Sequence, residues 1–143
     1  MKPGIIGIYG KSNSGKTSLI VDIIKKLSHE GFNIATIKIT DKKIKIDTKQ
    51  KDTYRYYKAG SKMIVFSSPI ETDFLHLKCF ETDEILEYLN KFGKYDLVII
   101  EGVNDKNVPK IRIGDIEERQ NTILTYDGNF KGLIKLIKNK INR

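Results

Sequence analysis

The sequence predicts an α/β fold: a doubly wound, mainly parallel sheet with helices on both faces and an antiparallel insertion. Three observations predict it. Short apolar runs alternate with stretches whose apolar residues recur at helical spacing. A glycine-rich turn joins the first run to the first such stretch, and the run at 95–100 is apolar enough for a central strand.

Ile5-Ile6-Gly7-Ile8-Tyr9 reads as the first, buried strand. From about residue 15 to residue 30, Leu19, Ile20, Ile23, Ile24 and Leu27 share one face, with Asp22, Lys25, Lys26 and Glu30 largely elsewhere. Gly31 then supplies a left-handed C-terminal cap. Residues 32–39 form a second strand, and the basic, polar stretch 40–51, without clear period, is a long active-site loop or flap. A short helix at 52–59 stops at Gly60, and a strand at 62–66 ends at Ser67-Ser68-Pro69. Residues 74–80 alternate as a half-buried strand that pairs with it through a turn at 69–73, so the insertion is antiparallel. Thr82 is the expected N-cap of the next helix, with Asp83 and Glu84 in its first turn, Ile85, Leu86 and Leu89 as its buried stripe and Gly93 at its end. Residues 95–100 follow as a strand, then strands at 110–113 and 122–125. An amphipathic helix over 129–142 carries Leu133, Ile134, Ile137 and Ile141. Internal repeats, linkers and low-complexity tracts are absent from the sequence.

At 143 residues the chain is expected to form one domain, 1–143, burying about two-thirds of the surface its unfolded form exposes. The lone Cys79 cannot form an internal disulfide, and with two histidines it leaves little material for structural zinc. No apolar stretch reaches transmembrane length and the start runs directly into a strand, so a soluble, cytoplasmic protein is expected. The net charge of +8 admits anionic partners. Almost all of it is lysine, however, with only Arg55, Arg112, Arg119 and Arg143 as arginines, which describes solvated faces better than a nucleic-acid surface. Neither nucleic acid nor membrane is expected as a partner.

Residues 10–17 read Gly-Lys-Ser-Asn-Ser-Gly-Lys-Thr, a complete G-x-x-x-x-G-K-[ST] phosphate-binding loop, which makes the fold that of a P-loop nucleoside triphosphatase. A triphosphate that leaves water keeps its hydrogen bonds only if successive backbone N–H groups point inward around it. Gly10 and Gly15 permit that turn. Lys16 is placed to reach the β- and γ-phosphates, and the Thr17 hydroxyl to ligate a bridging magnesium ion. The alternative, a glycine-rich turn without ligand, is disfavoured by the strand before it and the helix after it. The expected nucleotide-binding set is therefore Gly10, Lys11, Ser12, Asn13, Ser14, Gly15, Lys16, Thr17 and Ser18. A magnesium site also needs an acid at a neighbouring strand end, and the strand at 97–100 terminates in Glu101-Gly102. Glu101 is thus the catalytic candidate beside Lys16, holding a magnesium-bound water or orienting the attacking one. Asp41, after the second strand, is a further metal candidate, although Asp47 and Asp52 compete for that duty.

Five segments then resemble one family in order along most of the chain. They are 10–19, Ala-Thr-Ile-Lys-Ile-Thr at 35–40, Lys-Asp-Thr-Tyr-Arg-Tyr-Tyr-Lys-Ala-Gly at 51–60, Tyr-Asp-Leu-Val-Ile-Ile-Glu-Gly at 95–102 and Val-Pro-Lys-Ile at 108–111. They are similar to MobB, the adapter family of molybdopterin-guanine dinucleotide biosynthesis. The resemblance implies a GTP-binding protein with magnesium and weak GTPase activity. It implies a homodimer working with the guanylyltransferase that attaches GMP to molybdopterin, and Asp52 and Arg55 in a characteristic helix near the nucleotide. This chain departs from the pattern in having Ile39, Asp41 and Lys42 where histidines are usual, and Lys49 and Gln50 where Pro-Gly is usual. It has no Asn-Lys-x-Asp base-reading motif. Asp127 in Thr125-Tyr126-Asp127 is the nearest acceptor for guanine N1 and N2, against a plain turn at Asp127-Gly128.

Three other readings compete. A dimeric, partner-switching ATPase would use Lys11 across the subunit interface, but Ser12 and Asn13 replace the paired glycines that allow close approach. A small-molecule kinase would need a lid bearing arginines. Nickel-type metallochaperones need a Cys/His cluster that is missing. As an adapter, the chain would use its basic flap, 38–62, to accept the anionic pterin phosphate of molybdopterin or an acidic partner face.

Overall fold

The computed structural model describes residues 2–47 and 51–141. Within them β1 (Gly4–Gly10), α1 (Lys16–His29), β2 (Ile34–Lys38), α2 (Asp52–Ala59), β3 (Met63–Ser67) and β4 (Thr72–His76) are followed by α3 (Thr82–Phe92), β5 (Leu97–Glu101), β6 (Lys110–Ile113), β7 (Thr122–Thr125) and α4 (Phe130–Lys138). Five strands form one sheet in the order β2-β5-β1-β6-β7, and every pairing in it is parallel. All five strands therefore end at one edge, the edge where α/β sheets take their ligands. The chain divides into two compact units, Met1–Thr40 with Leu86–Arg143, and Asp41–Ile85.

In the larger unit the apolar periods meet as the sequence predicts. Ile6 and Ile8 of β1, Leu97 and Ile99 of β5 and Ile111 of β6 share one face of the sheet, and Leu19, Ile20, Ile23 and Leu27 of α1 with Leu133, Ile134 and Ile137 of α4 cover it. Each such side chain contributes about 1.5–3 kcal/mol by leaving water. The opposite face carries the buried Tyr9, Val98, Ile100 and Lys110. Its cover includes residues 102–109, the β5-to-β6 connection, which contains neither helix nor strand. The buried Val103 of this connection packs where a Cβ on Gly7 would clash with it, and this close approach is what demands glycine there.

In the smaller unit β3 and β4 pair antiparallel, with Met63 opposite His76 and Ser67 opposite Thr72. The strand expected at 74–80 lies earlier because the Ser68 hydroxyl accepts from the Ile70 and Glu71 amides and tightens the turn, so pairing resumes at Thr72. Of the unit's hydrophobic residues only Ile64 is buried, at 5 % exposure, among those described. Met63, Val65, Phe66, Ile70 and Phe74 are all exposed. Gly60 ends α2 where the sequence expects the helix to stop, in a left-handed conformation with φ +113°.

Two expectations at helix ends are corrected. Thr82 is the first helical residue of α3, not its cap: the Ile85 N–H already donates to the Glu81 carbonyl, and the Glu84 carboxylate accepts from the Glu81 N–H. Its stripe of Ile85, Leu86 and Leu89 is half-buried. The final helix is shorter than expected, starting behind an Asn129 cap and ending at Lys138. Residues 48–50 of the flap, including Lys49 and Gln50, lie outside the described residues, as do Asn142 and Arg143. Among the described residues no helix is long and apolar enough to cross a membrane.

Candidate functional site

The phosphate-binding loop leaves β1 at Gly10 and enters α1 at Lys16. A Cβ on Gly10 would stand 2.8 Å from the Ser14 hydroxyl and 2.9 Å from the Ile113 carbonyl, so the turn closes only around glycine. Asn13 and Gly15 take left-handed conformations, with φ +61° and +94°, and the Ser14 N–H donates to the Lys11 carbonyl at 3.2 Å. Gly15 occupies the N-cap without a side chain to offer, and the first turn of α1 holds no acid. The amides at the head of α1 thus lack the usual side-chain acceptor, which suits an incoming anion. The Lys16 ammonium folds back onto the loop, donating to the carbonyls of Gly10 at 2.7 Å and Lys11 at 3.2 Å. The Ser14 hydroxyl is buried without a hydrogen-bond partner, while Thr17 and Ser18 are exposed. An orphaned hydroxyl, a parked ammonium and uncapped amides on one loop fit a polyphosphate.

Glu101 closes β5 beside this loop. It lies in register with Ile8 on one side and with Lys38 on the other. Its carboxylate is 3.8 Å from the Lys38 ammonium, with the side chain 14 % exposed. The backbone around it is fastened: the Ile39 N–H donates to the Glu101 carbonyl at 2.9 Å, and the Gly102 N–H to the Ile8 carbonyl at 2.9 Å. Gly102 has φ +82°, and a Cβ there would sit 2.5 Å from the Ile39 carbonyl oxygen. The loop and Glu101 thus share the carboxyl edge of two adjacent strands.

Of the other candidates, some lie on the loop, some in the smaller unit, and Asp127 just after β7. Asp41, Asp52 and Arg55 are exposed residues of the smaller unit. Lys11 and Ser12 are exposed on the loop. Asp127 is exposed too, and its Oδ1 accepts from the Asn129 N–H at 2.9 Å across Gly128, whose φ is +94°. It forms the turn the sequence allowed. No group of three or more histidine, cysteine, aspartate or glutamate side chains suited to a metal ion occurs among the described residues.

Sequence reasoning passed over a polar cluster on the second face of the sheet. Lys110, fully buried, donates to the carbonyls of Asp105, Val108 and Gln120, the last two at 2.8 Å. Burial pushes its pKa down from the ordinary lysine value, with Asp105 opposing the shift and Arg119 adding to it. The Arg119 guanidinium lies 4.7 Å from the centre of the Tyr9 ring and donates to the Val103 carbonyl at 2.9 Å. The Tyr9 hydroxyl accepts from the Arg119 N–H at 3.0 Å and meets the Thr122 hydroxyl at 2.6 Å. The lysine of Val-Pro-Lys-Ile, flanked by apolar neighbours, was the only trace of this cluster in the sequence.

The smaller unit holds a cavity of roughly 460 Å³ whose lining includes Lys45, Tyr54, Tyr57, Phe74 and His76. Tyr54 and Tyr57 meet edge to face at 5.7 Å, and the Lys45 ammonium stands 4.0 Å from the centre of the Tyr57 ring.

Comparison with known proteins gives these features a context. The family model of molybdopterin guanine dinucleotide synthesis protein B, MobB, matches residues 5–137. A Methanocaldococcus jannaschii protein provisionally described as a molybdopterin-guanine dinucleotide biosynthesis adapter protein is 38 % identical over 111 residues, covering 75 % of this chain and 45 % of that protein. The molybdopterin-guanine dinucleotide biosynthesis adapter protein of Haemophilus influenzae is 28 % identical over 119 residues, covering 75 % of this chain and 61 % of its own. The chain spans about half the length of the curated relatives it matches. The crystal structure of Bacillus subtilis MobB superposes with a TM-score of 0.77 at 21 % identity, over 97 % of this chain and 98 % of that one. A MobB homologue from Bacillus stearothermophilus gives 0.70 at 15 % identity, over 95 % and 99 %. At those identities the likeness is one of fold, α/β with a mainly parallel sheet and a small antiparallel pair.

Proposed function

The chain belongs to the MobB family, and from that premise we propose that it is a cytoplasmic, GTP-binding adapter of molybdopterin-guanine dinucleotide biosynthesis, a homodimer that assists the guanylyltransferase step. One observation carries the nucleotide part of this reading: the loop at 10–17 leaves the Ser14 hydroxyl unpartnered, the α1 amides uncapped and the Lys16 ammonium on backbone carbonyls. On this reading Lys16 exchanges the Gly10 and Lys11 carbonyls for phosphate oxygens, and the amides of Gly15, Lys16, Thr17 and Ser18 orient the triphosphate. The Thr17 hydroxyl and, through water, the Glu101 carboxylate would hold magnesium, with Asp41 as a further carboxylate. When bound, that ion supplies charge neutralisation of the phosphates. Asp127 is the proposed acceptor for guanine. Weak GTPase activity would follow from Glu101 and Lys16 acting together. Asp52 and Arg55 are proposed to face the nucleotide, and the two units are read as one nucleotide-binding domain with an insertion.

The adapter part rests on the smaller unit. Its exposed Lys42, Lys43 and Lys45 and the aromatic cavity beside Lys45 suit a planar, phosphorylated pterin, which is how molybdopterin would be received.

Calorimetry with GTP and ATP in magnesium tests the first part. GTP is expected to bind in preference to ATP, and Lys16→Ala to weaken it about tenfold or more, the worth of one charge-assisted hydrogen bond. No heat with either nucleotide, or unchanged binding in Lys16→Ala, overturns the reading. Neutralising Lys42, Lys43 and Lys45 together should lower affinity for a pterin phosphate or the guanylyltransferase while leaving GTP binding intact.

A further inference from the structure

The connection from β5 to β6 passes over β1, since the sheet order places β1 between them. A parallel crossover normally carries a helix, whose own ladder satisfies its backbone. Residues 102–109 have none, yet Val103 and Val108 are buried on the sheet. Their carbonyls are satisfied by side-chain cations: Arg119 takes that of Val103, while Lys110 takes those of Asp105 and Val108 together with that of Gln120 in the next connection. The Asp105 carboxylate accepts from the Asn107 N–H, completing a crossover held at successive points along its length. Its first residue, Gly102, directly follows Glu101. Strand register fixes Glu101 from one side, so whatever fixes the crossover fixes it from the other.

We propose that Lys110 is a positioning residue for Glu101, holding the helix-free crossover so that the carboxylate keeps its place at the mouth of the phosphate-binding loop. Arg119, through the Val103 carbonyl, is the second point of the same clamp. This rests on the nucleotide reading above, and the experiment separates the two.

The magnesium concentration that half-saturates GTP binding is measured by calorimetry for the full chain and for Lys110→Met, Glu101→Gln and the double variant. Amide exchange over 102–109 is followed in the nucleotide-free proteins. Lys110→Met is expected to speed exchange across 102–109 and to raise the magnesium requirement about tenfold, the usual cost of losing an outer-sphere partner. Affinity at saturating magnesium stays near that of the parent. In the Glu101→Gln background the same substitution should add nothing, because its route to the metal is already gone. Lys110→Met with the parent's magnesium requirement, or an effect of equal size with and without Glu101, overturns the proposal. If Lys110→Met does not fold, Arg119→Met, which removes only the Val103 bond and the Tyr9 contact, is read by the same criteria. A parent protein that binds no GTP at any magnesium concentration refutes the nucleotide reading itself, whatever the exchange data show.

Discussion

The two faces of the parallel sheet are built by different physics. On one, Ile6, Ile8, Leu97, Ile99 and Ile111 meet α1 and α4, and among the described residues the buried charged side chain, Lys110, is not on this face. On the other, Tyr9, Lys110 and Arg119 meet a connection without a helix. The first face is held by area removed from water, which tolerates any side chain of the right volume. The second is held by donors matched to particular carbonyls, and volume alone cannot replace them. The difference teaches where this molecule can drift in sequence and where it cannot.

The sharpest way to break the comparison is a pair of substitutions that both end in methionine. Lys110→Met keeps most of the volume but takes a donor from three carbonyls, of which only that of Asp105 keeps a second one, the Val108 N–H, among the described bonds, and should cost about 3–5 kcal/mol. Leu133→Met, equally conservative in volume on the helical face, should cost less than about 1.5 kcal/mol. Equal losses in urea melts would show that the faces do not differ. Next in size is Ile23→Ala on the helical face, where loss of area plus a cavity predicts about 2–5 kcal/mol. The partial rescue expected from Ile23→Val would confirm that volume is what counts there. Gly7→Ala should cost about 1–3 kcal/mol by pushing Val103 off the sheet, and should be relieved by Val103→Ala in a double-variant melt.

The smallest effect concerns the ion pair that ties the two covering helices. The Glu30 carboxylate lies 2.7 Å from the Lys138 ammonium of α4 and 3.4 Å from that of Lys26. The hydrogen bond to Lys138 leads the causes that hold the Glu30 pKa below its ordinary 4.5. A carboxylate with a depressed folded pKa stabilises the protein above its unfolded pKa, and that stability is lost as pH falls through the folded value. Glu30→Gln should therefore lower the melting temperature slightly at pH 7, where the contribution is fully present, and the difference from the parent should shrink as pH falls below about 4.5.

How much of this was legible follows the same division. The strand, loop and helix over 5–30 could be read because their residues carry period, turn chemistry and a phosphate-binding spacing at once. Glu101 could be placed beside the loop from topology alone, since parallel strands share a carboxyl edge. Lys110 could not, because a lysine is read as solvated unless its acceptors are known, and here they are backbone carbonyls, which every residue has. The same blindness displaced β4 and the start of α3, where the Ser68 hydroxyl and the Glu84 carboxylate bond to main-chain amides and reset the boundaries. Asp127 was legible as a turn former. The turn accounts for one of its oxygens.

The pairing of β2 with β5 joins residues 34–38 to residues 97–101 across everything encoded between them. The entropy of closing so wide a gap grows only with the logarithm of its length, about 0.6 kcal/mol for each doubling. Segments added to or trimmed from the middle of the gene would therefore barely tax the stability of the sheet. Evolution can lengthen or shorten the segment Asp41–Ile85 for new associates while the strand edge that carries the glycine-rich turn and Glu101, encoded on either side of it, keeps its pairing.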